Sequence, residues 1–245
     1  MYFWKCWRET RVSFYVFLII AVTLAAFLSK FLNFNMGDEL PPKELLTVTW
    51  VILVLASSAL FSLAGISFGA TGISEEFAHK TASFLLTKPR SIRYFVWTAW
   101  ATNAVQFLAL TVSMMLVAAA VLSWRYHVHL TGRLQLALLP GLVMTFLLFG
   151  VTYLLGVLHK NGRSGFLSSL GVVIVFPIIC WTVEHFWQIH LPSPADMYPV
   201  GMGELILHPE LASTLPPFWP LVGWSLVALA CPFIAQLVLE RTEVQ

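Results

Sequence analysis

The chain has 245 residues, of which 58% are hydrophobic and 11% are charged, and its formal net charge is +2. Soluble globular domains carry about 25% charged residues, so this composition disfavours a water-soluble enzyme, a disordered chain and a coiled coil. It predicts an all-α, multi-pass protein of a cell membrane.

Six apolar segments are long enough to cross the hydrocarbon core of a bilayer, which takes about 20 residues of helix. Because lipid offers no partners for backbone polar groups, each segment is expected to be helical. Apart from Lys30, near the end of the first segment, none contains Asp, Glu, Lys or Arg. The spans cover about residues 13–32, 47–70, 94–122, 134–158, 166–183 and 218–239, within one transmembrane domain over residues 1–245.

The basic residues predict the orientation of the chain. Six spans put both termini on the same side, and that side holds ten of the 14 Lys and Arg residues. Because cytoplasmic loops carry an excess of Lys and Arg, both termini are predicted to be cytoplasmic.

The first eleven residues, MYFWKCWRETR, mix aromatic and basic side chains. This mixture is typical of a short amphipathic helix that lies in the headgroup layer, and the alternative is a simple basic flank of the first span. Trp97 and Trp100, near the inner end of the third span, are interpreted as interfacial anchors.

The second span contains Gly65 and Gly69 in a G-x-x-x-G pattern. Small residues at this spacing let two helices approach closely. The contact could lie within the chain or between two copies of it.

The cytoplasmic loop after the second span reads TGISEEFAHKTASFLLTKPRSIR, over residues 71–93. Its apolar residues share one face of a helix, and they are Ile73, Phe77, Phe84 and Leu85. Ser74 is the expected N-cap, and Pro89 predicts that the helix ends near Thr87. The loop is therefore predicted to form one short amphipathic helix, for which a surface-lying connector is the alternative interpretation.

The same loop has the form E-x3-K/G-T-x3-LL-x2-P-x-S/R, and with six spans and the aromatic, basic N-terminus it resembles the ABC-2 type transporter permeases. The matching residues are Glu76, Lys80, Thr81, Leu85, Leu86, Pro89 and Ser91. Many members of that family have Gly at the position of Lys80.

The resemblance implies that the loop is a coupling helix, which docks into a groove of a separate ABC ATPase subunit. The residues assigned to this contact are Ile73, Glu75, Glu76, Phe77, Lys80, Thr81, Phe84, Leu85, Lys88, Pro89 and Arg90. It also implies an exporter of the bacterial inner membrane, with a second permease copy or a homologous permease and membrane lipid as further partners and no nucleic acid. The chain has no G-x-x-x-x-G-K-[ST] motif, so ATP and Mg are expected on the ATPase partner.

No catalytic motif and no metal site is predicted. Five histidines fall in outer loops or at span edges and are interpreted as interfacial polar residues, not metal ligands; they are His127, His129, His185, His190 and His208. An ionisable group at mid-membrane, which an ion-coupled carrier usually needs, is missing from the spans. An intramembrane enzyme acting on lipid or peptide stays open as the alternative, and so does a small assembly or sensor protein.

Overall fold

A computed structural model describes residues 2–36, 48, 52, 59–71, 73–78, 91–126, 139–188 and 218–242. In this part of the chain all regular structure is helical, which confirms the predicted all-α class. The seven helices are α1 (Tyr2–Met36), α2 (Ala59–Ala70), α3 (Ile73–Ala78), α4 (Ile92–Tyr126), α5 (Leu139–Leu158), α6 (Gly162–Trp187) and α7 (Phe218–Thr242).

Four of the described helices are long and apolar enough to cross a membrane. They coincide with the first, third, fourth and sixth predicted spans, and their apolar stretches are Tyr2–Phe27, Ile92–Met114, Leu139–Leu158 and Phe218–Arg241. The second and fifth predicted spans are represented by the shorter apolar helical stretches Ala59–Ala70 and Gly162–Val175.

Helix α1 is one unbroken helix of 35 residues, about 52 Å long at 1.5 Å per residue. The separate interfacial helix expected over residues 1–11 is therefore its first three turns, because no Gly or Pro interrupts the sequence before Met36. One face of these turns is buried against the bundle, through Tyr2, Cys6 and Thr10. This face therefore contacts other helices of the protein, whereas the sequence predicts a helix that lies in the headgroup layer.

Helix α5 packs against α6 and α7, while α1 packs along α4. Small residues make the contacts of α5 close. A Cβ atom built on Gly150 would lie 2.8 Å from the carbonyl oxygen of Ala228, and one built on Gly165 would lie 2.5 Å from the Cα of Gly156. The backbones of α6 and α7 therefore touch that of α5 directly.

An aromatic cluster joins α2, α4 and α5 in the core. Phe107 and Phe149 stack with their ring centroids 5.9 Å apart, and the ring of Phe68 lies 6.5 Å from that of Phe107. Trp100 lies 6.0 Å from Phe149 and is only 8% exposed. Trp100 is thus a core residue, and its interpretation as an interfacial anchor is wrong.

Candidate functional site

Polar and aromatic contacts join the helices where α1 and α4 begin and α7 ends. The rings of Tyr2 and Phe95 meet edge to face at 5.1 Å. The indole N–H of Trp97 donates to Oε1 of Gln236 at 2.9 Å. The start of α1 and the last turns of α7 therefore contact the same two turns of α4, at one end of the bundle.

Helices α3, α5 and α6 complete this end, which we call the α3 end. The hydroxyl of Tyr153, near the end of α5, donates to the carbonyl oxygen of Val96 at 2.8 Å. The turn from α5 to α6 is tight, and Lys160 in it has a φ of 51°. Asn161 caps α6, since its side-chain oxygen accepts the N–H of Arg163 at 3.0 Å.

Helix α3 is the only described part of the predicted coupling helix, and it is built into this end of the bundle. Ile73 is 5% exposed and belongs to the hydrophobic core. Ser74 lies inside α3, and its hydroxyl donates to the carbonyl oxygen of Ala70 at 2.8 Å. Ser74 is therefore not the N-cap that the sequence predicts, because its side chain bonds back to the last turn of α2.

Glu76 is the most deeply buried charged residue in the described part of the chain, at 3% exposure. Its carboxylate accepts a hydrogen bond from Nζ of Lys5, at the start of α1. The same ammonium group lies 3.8 Å from Glu9, one turn further along α1. A charge pair thus joins α3 to α1.

Phe77 follows Glu76 and is half-buried against the core. Lys160 lies on the turn between α5 and α6, and its Nζ is 5.4 Å from the centroid of the Phe77 ring. A cation at this distance from an aromatic face is attracted to it. Helix α3 is therefore held from two sides, by Lys5 and by Lys160.

The eleven residues assigned to the ATPase contact fall into two groups. In the first group, Ile73 and Glu76 are buried within the chain, and Phe77 is half-buried against its core. Glu75 lies in α3 between them. The remaining assigned residues lie outside the described residues, and they are Lys80, Thr81, Phe84, Leu85, Lys88, Pro89 and Arg90.

The two glycines of the small-residue pattern lie against α5. A Cβ atom built on Gly65 would lie 2.6 Å from the carbonyl oxygen of Thr145, and one built on Gly69 would lie 2.5 Å from that of Phe149. The close approach that this pattern favours is therefore made within the chain, between α2 and α5.

Sequence reasoning missed two buried amide side chains in the middle of α4. The amide nitrogen of Asn103 donates to the carbonyl oxygen of Phe68 at 3.0 Å and to the hydroxyl of Thr71 at 2.9 Å, and so caps the end of α2. Gln106 is fully buried, and among the described residues neither its amide oxygen nor its amide nitrogen has a hydrogen-bond partner. The signal was present, because 94–122 is the only predicted span with two Asn or Gln residues.

Replacing Gln106 by Met should raise the free energy of unfolding by about 1–2 kcal/mol. A buried polar group without a partner costs about 1–3 kcal/mol, and Met fills a similar volume. Gln236 is the matched control, because its amide binds both Trp97 and Glu240, so Gln236→Met should lower stability. Thermal unfolding in detergent measures both, and equal losses in the two variants would contradict this account of Gln106.

Within the described ranges, no group of three His, Cys, Asp or Glu residues is placed to hold a metal ion. Cys6 and Cys231 are free thiols and both are buried. His185 lies on the exposed end of α6, and the other four outer histidines lie outside the described residues.

The chain matches no protein-family model, no curated protein and no solved structure. The helices alone indicate a membrane protein, because four of them are long and apolar enough to cross a membrane. Their outward surfaces are apolar, as on α7, where Leu226 is 61% and Phe233 53% exposed. Such continuous apolar exposure is expected of a surface that faces lipid.

Proposed function

We propose that the chain is the membrane-spanning permease subunit of an ATP-binding-cassette exporter, driven by a separate ATPase subunit. The observation that carries the proposal is the attachment of α3. This helix contacts α4, α5 and α6, and its Glu76 binds Lys5 of α1. A short segment between two spans is thus joined to four other helices.

Such attachment suits a segment that transmits force. The residues that follow α3 carry an apolar pair, Phe84 and Leu85, with basic residues after them. An apolar stripe with charged flanks can insert into the groove of a partner. Movement of a partner bound there would be passed through α3 to α1, α4, α5 and α6 together.

The same proposal includes six spans with both termini in the cytoplasm. Seven of the nine Lys and Arg residues in the described helices and turns lie at or within three turns of the α3 end. They are Lys5, Arg8, Arg11, Arg93, Lys160, Arg163 and Arg241. Because positive charge is retained in the cytoplasm, the α3 end faces the compartment that holds ATP.

A second permease copy, or a homologous permease, completes the proposed transport path, which forms between the two. The apolar, aromatic-rich spans suit a lipid-like or amphipathic cargo. ATP and Mg belong to the ATPase subunit. This chain supplies the path and the residues after α3 that dock on the ATPase, 79–90, which we call the docking segment.

The docking segment is tested by Phe84→Asp, with Phe84→Leu as the matched control. A carboxylate on the apolar stripe should abolish co-purification of the ATPase, because burying an unpaired charge in an apolar groove costs several kcal/mol. Leu keeps the stripe apolar and should retain the complex. The measurement is the ratio of ATPase to permease after affinity purification from its own host in detergent.

Insertion of the chain must be unchanged for the comparison to hold, so the membrane yield of each variant is measured in parallel. An unchanged ATPase ratio for Phe84→Asp would overturn the role of this segment. Absence of any Walker-motif ATPase from the complex of the unaltered chain would overturn the proposed function itself.

A further inference from the structure

An open groove of about 620 Å³ runs along the outer side of α4, beside the first turn of α1. Its mouth is at the α3 end, where Ser91 directly precedes α4 and Arg93 lies in the first turn of that helix. Phe3 of α1 forms the opposite lip. None of these residues belongs to the predicted coupling contact, so the groove is a separate feature of the same end.

The mouth of the groove is polar and cationic. Arg93 is exposed, and within the described helices and turns its guanidinium makes no ion pair. Ser91 also lines the groove, and its hydroxyl accepts the N–H of Tyr94 at 3.4 Å. A hydroxyl oxygen keeps a proton to donate while it accepts, so Ser91 and Arg93 together present donors to an anion.

The floor of the groove is mainly apolar. Trp97, Ala101 and Val105 line it, and their spacing of four residues places them on one face of α4. Thr98 and Thr102 also line it, and the Thr102 hydroxyl donates to the carbonyl oxygen of Thr98 at 2.6 Å. Arg93 to Val105 spans about 18 Å of helix, close to the ~15 Å of hydrocarbon in one leaflet. The groove thus has the length of a lipid molecule, with a polar mouth and a mainly apolar floor.

We propose that this groove binds an anionic phospholipid from the leaflet at the α3 end. The lipid phosphate binds the Arg93 guanidinium and the Ser91 hydroxyl through charge-assisted hydrogen bonds. One acyl chain lies along Trp97, Ala101 and Val105. The site depends on the membrane placement given with the proposed function, and it does not depend on an ATPase partner.

The charge contact is tested by Arg93→Gln, with Arg163→Gln as the matched control. Arg163 is also exposed at the α3 end and is not among the groove-lining residues. The full chain is purified in detergent, titrated with phosphatidylglycerol or phosphatidylcholine, and the bound lipid is counted by native mass spectrometry. We expect Arg93→Gln to bind phosphatidylglycerol about tenfold more weakly, since it loses the charge-assisted hydrogen bonds to the lipid phosphate, and Arg163→Gln to bind it normally.

The apolar floor is tested by Ala101→Phe, which fills the path of the acyl chain and leaves Arg93 in place. Ala230→Phe is its control, because Ala230 is also an exposed alanine, on α7, and does not line the groove. We expect only Ala101→Phe to lose the bound lipid, with the thermal unfolding midpoints of both variants close to that of the unaltered chain.

Three results would overturn the site. They are equal binding of the two lipids by the unaltered chain, unchanged binding in both Arg93→Gln and Ala101→Phe, and displacement of the lipid by inorganic phosphate alone. None of these lipid-binding measurements requires an ATPase. Failure of the lipid-site proposal would therefore leave the transporter proposal standing. Failure of the ATPase co-purification, conversely, leaves the lipid titration unchanged.

Discussion

Replacing Lys5 by Met should lower the free energy of unfolding by about 3 kcal/mol. The substitution keeps most of the side-chain volume and removes the cation that binds the buried carboxylate of Glu76. Breaking a buried ion pair costs about 3–5 kcal/mol, since the buried charge loses its counterion. The lower end applies here because the Lys5 side chain is 35% exposed, whereas that of Glu76 is 4% exposed.

The chain supplies its own control for this substitution. Glu9 also lies near Lys5, at 3.8 Å, but its side chain is 33% exposed. Exposed pairs of this kind contribute about 0.5 kcal/mol, so Glu9→Gln should change stability little. The double variant Lys5→Met, Glu76→Gln should recover much of the loss, because it removes both charges. Thermal and denaturant unfolding in detergent provide the comparison.

The prediction fails if Lys5→Met is as stable as Glu9→Gln, or if the double variant is less stable than Lys5→Met.

In the proposed transporter, a weakened link between α3 and α1 should also lower the transport achieved per ATP hydrolysed. ATPase binding should persist, since the docking segment follows α3 in the chain and keeps its own sequence.

The apolar helices could be predicted from the sequence because spanning length and hydrophobicity are local properties. The third predicted span, 94–122, lies within α4, and the sixth, 218–239, lies within α7. Each structural helix extends a few residues beyond its span. The charged and polar residues at those ends continue the helix, which a hydropathy pattern alone does not register.

The partner of an amphipathic face could not be predicted in the same way. Periodicity shows that one side of a helix is apolar, and a membrane surface, another protein or the chain's own bundle can each bury it. Tyr2 and Cys6 turned out to face α4, and Ile73 turned out to face the core. In each case a contact distant in sequence decided the outcome.

The hydrogen-bond partners of the buried amides in α4 could not be predicted from the sequence either. A search for charged residues finds none in the spans beyond Lys30, so it passes over Asn103 and Gln106. Only the packed bundle distinguishes the two. The amide nitrogen of Asn103 has partners at the end of α2, whereas neither amide atom of Gln106, one turn further into the span, has a partner in the described part of the chain.

Replacing Gly69 by Ala should also lower the free energy of unfolding, by about 2 kcal/mol. The new Cβ would lie 2.5 Å from the carbonyl oxygen of Phe149 and 2.8 Å from the Cβ of Thr152. The first of these atoms is backbone, so α2 and α5 must separate to admit the methyl group. Overpacking of this kind costs about 1–3 kcal/mol, which exceeds the ~1 kcal/mol that Ala gains over Gly in a helix.

Gly65→Ala should have a similar effect, because its Cβ would lie 2.6 Å from the carbonyl oxygen of Thr145. Gly171→Ala is the matched control, since a Cβ there meets nothing within 4 Å, and it should be neutral or slightly stabilising. Thermal unfolding of the three variants is measured in detergent, with the oligomeric state of each.

If Gly69 served a contact between two copies of the chain instead, Gly69→Ala would dissociate the oligomer while each monomer kept its unfolding midpoint. A contact between α2 and α5 requires the opposite, a lower midpoint at every protein concentration, because the separated helices belong to one chain.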